Sequence, residues 1–304
     1  MRKLFKGLVK VTLLFIGISL LMVGALASYI LIDLSPEYTA PTPIPEQVND
    51  ITQLNPIRVA QVIRPTNTDE IRQAIMSSKG KISIGGGRYS QGGQIALEDS
   101  LHIDMRSFNQ VLSLDVVKRE ITVQSGIRWR DIQEVIDPQD LSIKIMQSYS
   151  NFTVGGSLSV NVHGRYMGEG PIIRSVKSIK MILANGEIIE ASPTINSEIF
   201  YAAIGGYGGL GVITEATLKL VPNVKVARET QYMPIGNYSA FFQTQIKTNE
   251  NIVFHNADIY PPNYTQINSV SWVQSEKPLT VTERLIPKQN DYWWQPKIAK
   301  FVAD

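Results

Sequence analysis

The apolar positions of this chain fall into three regimes. From Val11 to Ile32 they form one run of 22 residues without a charge. Between residues 56 and 222, short apolar runs alternate with helical stretches and are punctuated by glycine. After Pro222 a different region begins.

The middle regime is the most legible. "IRVAQVIRP" (57–65) has strand character and ends at a proline. "TNTDEIRQAIMSSKG" follows as a helix, with Thr68 as the expected N-cap, acidic residues in the first turn and Gly80 past the end. "KISI" is a short buried strand that runs into a glycine loop, and "LHIDM", "VLSLDV" and "EITVQSG" are three further strands. "RWRDIQEVIDP" has a short helical period stopped at Pro138, and "LSIKIM" is again a strand. "SVKSIKMILANGEIIEAS" predicts two strands joined at Asn185-Gly186 by a type I′ turn. "SEIFYAAIGG" is a short helix and "LGVITEATLKLVP" a closing strand. Mixed elements with several hairpins predict an α+β fold rather than a doubly wound parallel sheet. A nicotinamide-binding Rossmann unit would place G-x-G-x-x-G between a strand and a long helix. Here the first glycine loop leads into "IALEDSLHIDM" and more strand.

The first regime is long enough to cross ~30 Å of hydrocarbon as a single transmembrane helix. Arg2, Lys3, Lys6 and Lys10 precede it, and Asp33 and Glu37 follow it. That asymmetry predicts a single-pass membrane protein with a cytoplasmic N-terminus and an extracytoplasmic main domain. A cleaved signal peptide competes, because "ALAS" (25–28) has the small-x-small form. The expected organisation is a basic flank (1–10), a membrane anchor (11–32), a Pro-rich linker (33–55), a main domain (56–222) and a last region (223–304).

Composition narrows the chemistry. The chain is 43% apolar and 18% charged, with a net charge of +2, which gives no reason to expect a nucleic-acid partner. It contains no cysteine, so disulfides, thiolate metal sites and Cys nucleophiles are excluded. Its three histidines, His102, His163 and His255, lie at no metal-ligand spacing, and no metal site is expected.

Three glycine-rich segments carry the candidate chemistry: "IGGGRYSQGGQ" (84–94), "NFTVGGSLSVNVHGR" (151–165) and "AIGGYGGLGVI" (203–213). A lone glycine pair usually marks a turn. Three clusters, each at the end of an apolar segment, suit a ligand lying along bare backbone amides, as a pyrophosphate does. Thr153, Ser157 and Ser159 add hydroxyl donors, and "SLSV" is a possible helix start beside them.

From Val59 to Pro222 the order of these motifs resembles the FAD-binding domain of the vanillyl-alcohol oxidase family, the p-cresol methylhydroxylase (PCMH) type of flavin fold. The likeness leans toward the decaprenylphosphoryl-ribose oxidase and aldonolactone oxidase branches. It implies a two-subdomain FAD-binding domain followed by the start of an α+β substrate cap. It also implies that Gly85, Gly86, Gly87, Arg88, Tyr89 and Ser90 wrap the FAD pyrophosphate. Thr153, Gly155, Gly156, Ser157 and Ser159 would line the same cofactor, as would the backbone at Val212 and Ile213. His163 and Gly164, in "NVHGR", match a family motif beside the flavin ring. Many members bond FAD covalently through a histidine in the first loop. This chain has Arg88 and Tyr89 there, so non-covalent FAD is expected. His163 and Tyr89 are the candidate catalytic residues, and Arg88 a candidate partner for phosphate charge.

The implied activity is FAD-dependent hydride transfer from a CH–OH donor, a small-molecule or lipid-linked sugar or lactone, to an unspecified electron acceptor. The alternatives are a catalytically incomplete flavin-binding remnant or interaction protein, and a non-flavin nucleotide-binding module. The family cap is longer than residues 223–304, so either a fragment of a longer oxidoreductase or a truncated gene product is expected.

Overall fold

The computed structural model describes residues 17–24 and 46–285. The chain divides into two compact units, Met1–Pro45 and Glu46–Asp304. Of the first, helix α1 (17–24) is described. The rest of the expected anchor, the basic flank and linker residues 33–45 lie outside the described residues, as does "DYWWQPKIAKFVAD". Among the described residues no helix is long and apolar enough to cross a membrane.

The second unit begins inside the stretch read from sequence as linker. β1 (Gln47–Val48) pairs antiparallel with β2 (Ile57–Arg58), and Val48 is fully buried. The turn between them closes on the buried Asp50, whose carboxylate accepts from the Thr52 amide (2.8 Å) and the Asn55 side chain (2.6 Å). Satisfying a buried acid in this way holds residues 46–55 against the body.

A parallel three-stranded sheet follows. β3 (Gln61–Ile63), α2 (Thr68–Ser77) and β4 (Ile82–Gly85) form a crossover unit, and β5 (Leu101–Asp104) lies between the two strands. The N-cap of α2 is Asn67 rather than Thr68: its side chain accepts from the Glu70 amide at 2.9 Å. Asn67 reaches the third amide of the helix from an extended backbone, which leaves Thr68 as the first helical residue. α2 buries Ile71 and Ile75 in a cluster with Ile103, Met105 and Phe108.

The larger sheet is antiparallel. It comprises β6 (Val111–Asp115), β7 (Glu120–Gln124), β8 (Leu141–Ile143), β9 (Val176–Leu183), β10 (Ile188–Ala191) and β11 (Gly211–Pro222). The order is β10-β9-β11-β7-β6, with β8 on the far end of β11. Along β11 buried positions alternate with partly exposed ones, so every second side chain enters the core. That face packs against Trp129, Ile132 and Ile136 of α3 (Trp129–Ile136), Val154 and Leu158 of α4 (Val154–Ser159), and Phe200 of α5 (Ser197–Ala203). Full burial of each large side chain is worth about 1.5–3 kcal/mol. The β9–β10 hairpin forms as expected, but its turn differs. Gly186 has φ +79° while Asn185 is absent from the left-handed residues, and the Gly186 amide donates to the Leu183 carbonyl (2.9 Å). The loop is therefore three residues long, with a bulge at Gly186, rather than a two-residue type I′ turn.

After Pro222 the chain builds a third, antiparallel sheet: β12 (Val226–Pro234), α6 (Ile235–Phe241), β13 (Ile252–Ile259) and β14 (Gln266–Gln274), in the order β12-β14-β13. Residues 165–167 run along the edge of β13. The His255 amide donates to the Arg165 carbonyl (2.9 Å) and the Met167 amide to the Val253 carbonyl (3.1 Å). The architecture is mixed: a parallel crossover layer, a large antiparallel sheet, and a small antiparallel sheet joined to them.

Candidate cofactor cleft

The three glycine segments meet. The Gly87 amide donates to Thr153 Oγ1 (3.2 Å), joining the first segment to the second. The Gly205 amide donates to the Leu158 carbonyl (2.9 Å) and the Tyr207 amide to the Ser159 carbonyl (3.0 Å), joining the third to the second. Between them lies a cleft of about 380 Å³.

Helix α4 starts earlier than "SLSV" suggests because its first amides are already paired. Val154 donates to the Ile127 carbonyl (2.9 Å) and Gly155 to the Ser125 carbonyl (2.7 Å). Tertiary pairing thereby overrides the poor helix propensity of Gly155 and Gly156. Two other glycines are required by close approach. A Cβ on Gly85 would lie 2.6 Å from His102 Nε2, and one on Gly86 would run into Thr153 Oγ1.

Gly85, Gly86, Gly87, Arg88, Tyr89 and Ser90 all line the cleft. So do Thr153, Gly155, Gly156, Ser157 and Ser159 opposite, and Ile213 on β11. Val212 points the other way, into the core under α2, and is 2% exposed. His163 and Gly164 are not among the lining residues. His163 is exposed, pairs by its backbone with Pro171, and brings Nδ1 within 3.4 Å of the Gly164 carbonyl. Gly164 lies tight against the Met146 carbonyl and the Tyr166 ring.

The hydroxyls of the second segment are largely committed inside the protein. Ser159 Oγ donates to the Gly155 carbonyl (2.8 Å). Ser157 Oγ lies 2.9 Å from the Thr153 carbonyl and 2.8 Å from Gln147 Oε1, and accepts from Trp129 Nε1 at 3.0 Å. Gln147 itself lines the cleft, as do Tyr207 and Phe152. None of these three is evident from sequence, although Tyr207 sits between two glycine pairs. Phe152, Tyr89 and Tyr149 form an edge-to-face cluster with centroids 4.8–5.5 Å apart.

Charge is concentrated behind the first loop. Asp104, 1% exposed, receives Arg88 (3.0 Å) and Arg106 (2.7 Å), with Arg64 at 3.6 Å. Burial alone would raise the Asp104 carboxyl, but the hydrogen bonds and charge of Arg106, with the charge of Arg88, hold it below its ordinary value. Burial, aided by Arg106 and opposed by Asp104, lowers Arg88 to about 10, so it stays charged at neutral pH. Three guanidinium groups thus gather on one buried carboxylate beside the glycine backbone.

Burial and then the charge of Arg88 push His102 down to about 4. Its ring is neutral, and its neighbours choose the tautomer. Ser100 Oγ donates to the Leu97 carbonyl (2.6 Å), so it must accept from Ser83 Oγ (2.7 Å). Ser83, its one proton spent, accepts from His102 Nδ1 at 2.9 Å. Nε2 is left as a bare acceptor against Gly85, buried and without a partner, and Arg88 Nε is also buried and unpaired.

These features fit FAD. Glycine backbone beside Arg88 suits a pyrophosphate, and the Tyr89–Phe152 wall with Ile84, Met181 and Ile213 suits flat ring systems.

Comparison with known proteins agrees with the cleft. Residues 59–192 match the family model described as an FAD binding domain. The chain is 31% identical to L-gulonolactone oxidase of Bos taurus over 170 residues, covering 55% of this chain and 38% of that protein. It is 28% identical to decaprenylphosphoryl-beta-D-ribose oxidase of Mycolicibacterium smegmatis over 214 residues, 68% of this chain and 44% of that protein. To the mitochondrial L-galactono-1,4-lactone dehydrogenase of Arabidopsis thaliana it is 23% identical over 278 residues, covering 86% and 44%. The chain thus spans less than half the length of each of these relatives. Residues 59–192 thus match an FAD binding domain, and the cleft on which the three glycine segments converge suits that cofactor.

Proposed function

We propose that the chain holds FAD non-covalently and serves an oxidoreductase acting on the CH–OH group of a sugar, a lactone or a lipid-linked sugar. The observation that carries this reading is the shared cleft, with glycine backbone free of side chains on one wall and three arginines gathered behind it. Named activities among the relatives, two lactone enzymes and a polyprenylphosphoryl-ribose oxidase, favour the substrate class. Dissociable cofactor is supported by the lining: among the described residues, no histidine or cysteine lines the cleft.

Bound there, FAD supplies a hydride acceptor. The chain's part is to hold and orient it. The loop from Gly85 to Ser90 and the charge of Arg88 meet the phosphates, while Tyr89 and Phe152 wall off water. Tyr89, inside the cleft, positions substrate. His163 stands at the seam where residues 165–167 join β13, and is the candidate for taking the hydroxyl proton. The sheet of β12, β13 and β14 is the beginning of the substrate cap. Residues 11–32 anchor the protein in a membrane with the cleft outside the cytoplasm, a topology supported by the uncharged run and its basic flank.

Adding FAD to purified chain should quench flavin fluorescence, and acid precipitation should release all of the colour. Anaerobic bleaching by an aldonolactone would establish the oxidoreductase, whereas bound flavin that no CH–OH donor bleaches would leave a binding domain alone. Protease access in sealed vesicles checks the topology.

A further inference from the structure

We infer that Gln147 is a dedicated hydrogen-bond donor to the molecule in the cleft, aimed by a buried tryptophan. This rests on the flavin reading above and adds a contact that the glycine motifs do not contain.

Trp129 is fully buried, and its indole N–H can only donate. It lies 3.0 Å from Gln147 Oε1, so the carbonyl end of that amide must face it. Ser157 Oγ stands 2.8 Å from the same oxygen. Both groups hold Oε1 inward, and the amide nitrogen is turned to the opposite side. Among the described residues Nε2 makes no hydrogen bond. That nitrogen is also not one of the buried unpaired atoms, so it is reached from outside, and Gln147 is a lining residue of the cleft. The result is an uncharged donor of preset direction on the wall opposite the arginines. An acceptor oxygen or nitrogen of the dinucleotide is its chemical complement.

Gln147→Glu separates this role from a structural one. The carboxylate keeps an oxygen for Trp129 and Ser157, loses the donor and adds a negative charge. Gln147→Met removes the donor without adding charge, and Ser157 Oγ still accepts from Trp129. FAD affinity of the full chain is measured by fluorescence quenching, with the thermal midpoint of the unliganded protein as the test of folding. Both variants should bind FAD roughly tenfold more weakly or worse, since an acceptor buried without its donor costs that much. Should one variant fail to fold, the other decides. If the parent chain binds FAD and a folded variant binds it equally well, this inference is overturned and the flavin reading stands. If the parent chain takes up no FAD, both fall.

Discussion

The two walls of the cleft are built on opposite principles. The wall from Gly85 to Ser90 is charged: Arg88, Arg106 and Arg64 converge on Asp104, and a neutral His102 is locked behind Gly85. The wall from Gln147 to Ser159 is uncharged, and its polar groups mostly bond to one another. The difference teaches that hydroxyls in a glycine-rich segment are not necessarily ligand donors. In the second wall they hold the backbone in place, and the first wall holds the field. Disturbing the charged wall should therefore alter global stability and anion affinity, whereas disturbing the neutral wall should alter fit.

The largest expected effect is at Asp104. Asp104→Asn leaves three guanidinium groups without their shared counter-ion. Losing one partner of a buried pair costs about 3–5 kcal/mol, and the half-exposed Arg64 and Arg106 place this case near 3. Urea unfolding would read the loss, and an unchanged midpoint would show that the walls do not differ in this way.

Acid should act on the same wall. An unfolded histidine takes a proton near pH 6.5, whereas folded His102 does so only near 4. Between those values the unfolded state binds more protons, so stability falls as pH drops from 6.5 to 4, by on the order of 3 kcal/mol. The slope should flatten in His102→Leu, measured by denaturant unfolding at several pH values.

Gly86→Ala drives a methyl into Thr153 Oγ1, where the walls are tied together. Overpacking of this kind costs about 1–3 kcal/mol, and FAD titration should show weaker binding. The smallest effect is expected from Ser159→Ala. Its half-exposed hydroxyl only back-bonds within α4, so stability should change by about 1 kcal/mol or less, and FAD affinity little.

The glycine segments were legible because bare backbone demands glycine, and their convergence needed only the strand and helix order between them. The run "LGVITEATLKLVP" announced β11, Pro65 and Gly80 bracketed α2, and Asn185-Gly186 announced the β9–β10 hairpin. What could not be read depends on partners distant in sequence. Arg64 and Arg106 look like ordinary polar residues until β5 brings Asp104 between them and Arg88. Gln147 is an unremarkable amide until Trp129 orients it. α4 begins three residues before "SLSV" because Ile127 and Ser125 offer carbonyls to its first amides. His163 sits in a family-like motif, yet the fold leaves it exposed beside the seam, so motif and cleft diverge there.

That seam also restricts how the small sheet can move. Because Arg165 and Met167 complete the border of β13 through main-chain bonds, the small sheet is stitched to the body rather than hung from it. It cannot swing wide as a free door without tearing those stitches. Side chains fasten the same border: the Arg165 guanidinium lies 5.1 Å from the centre of the Trp272 ring, and the Tyr166 ring packs edge-on against Phe254.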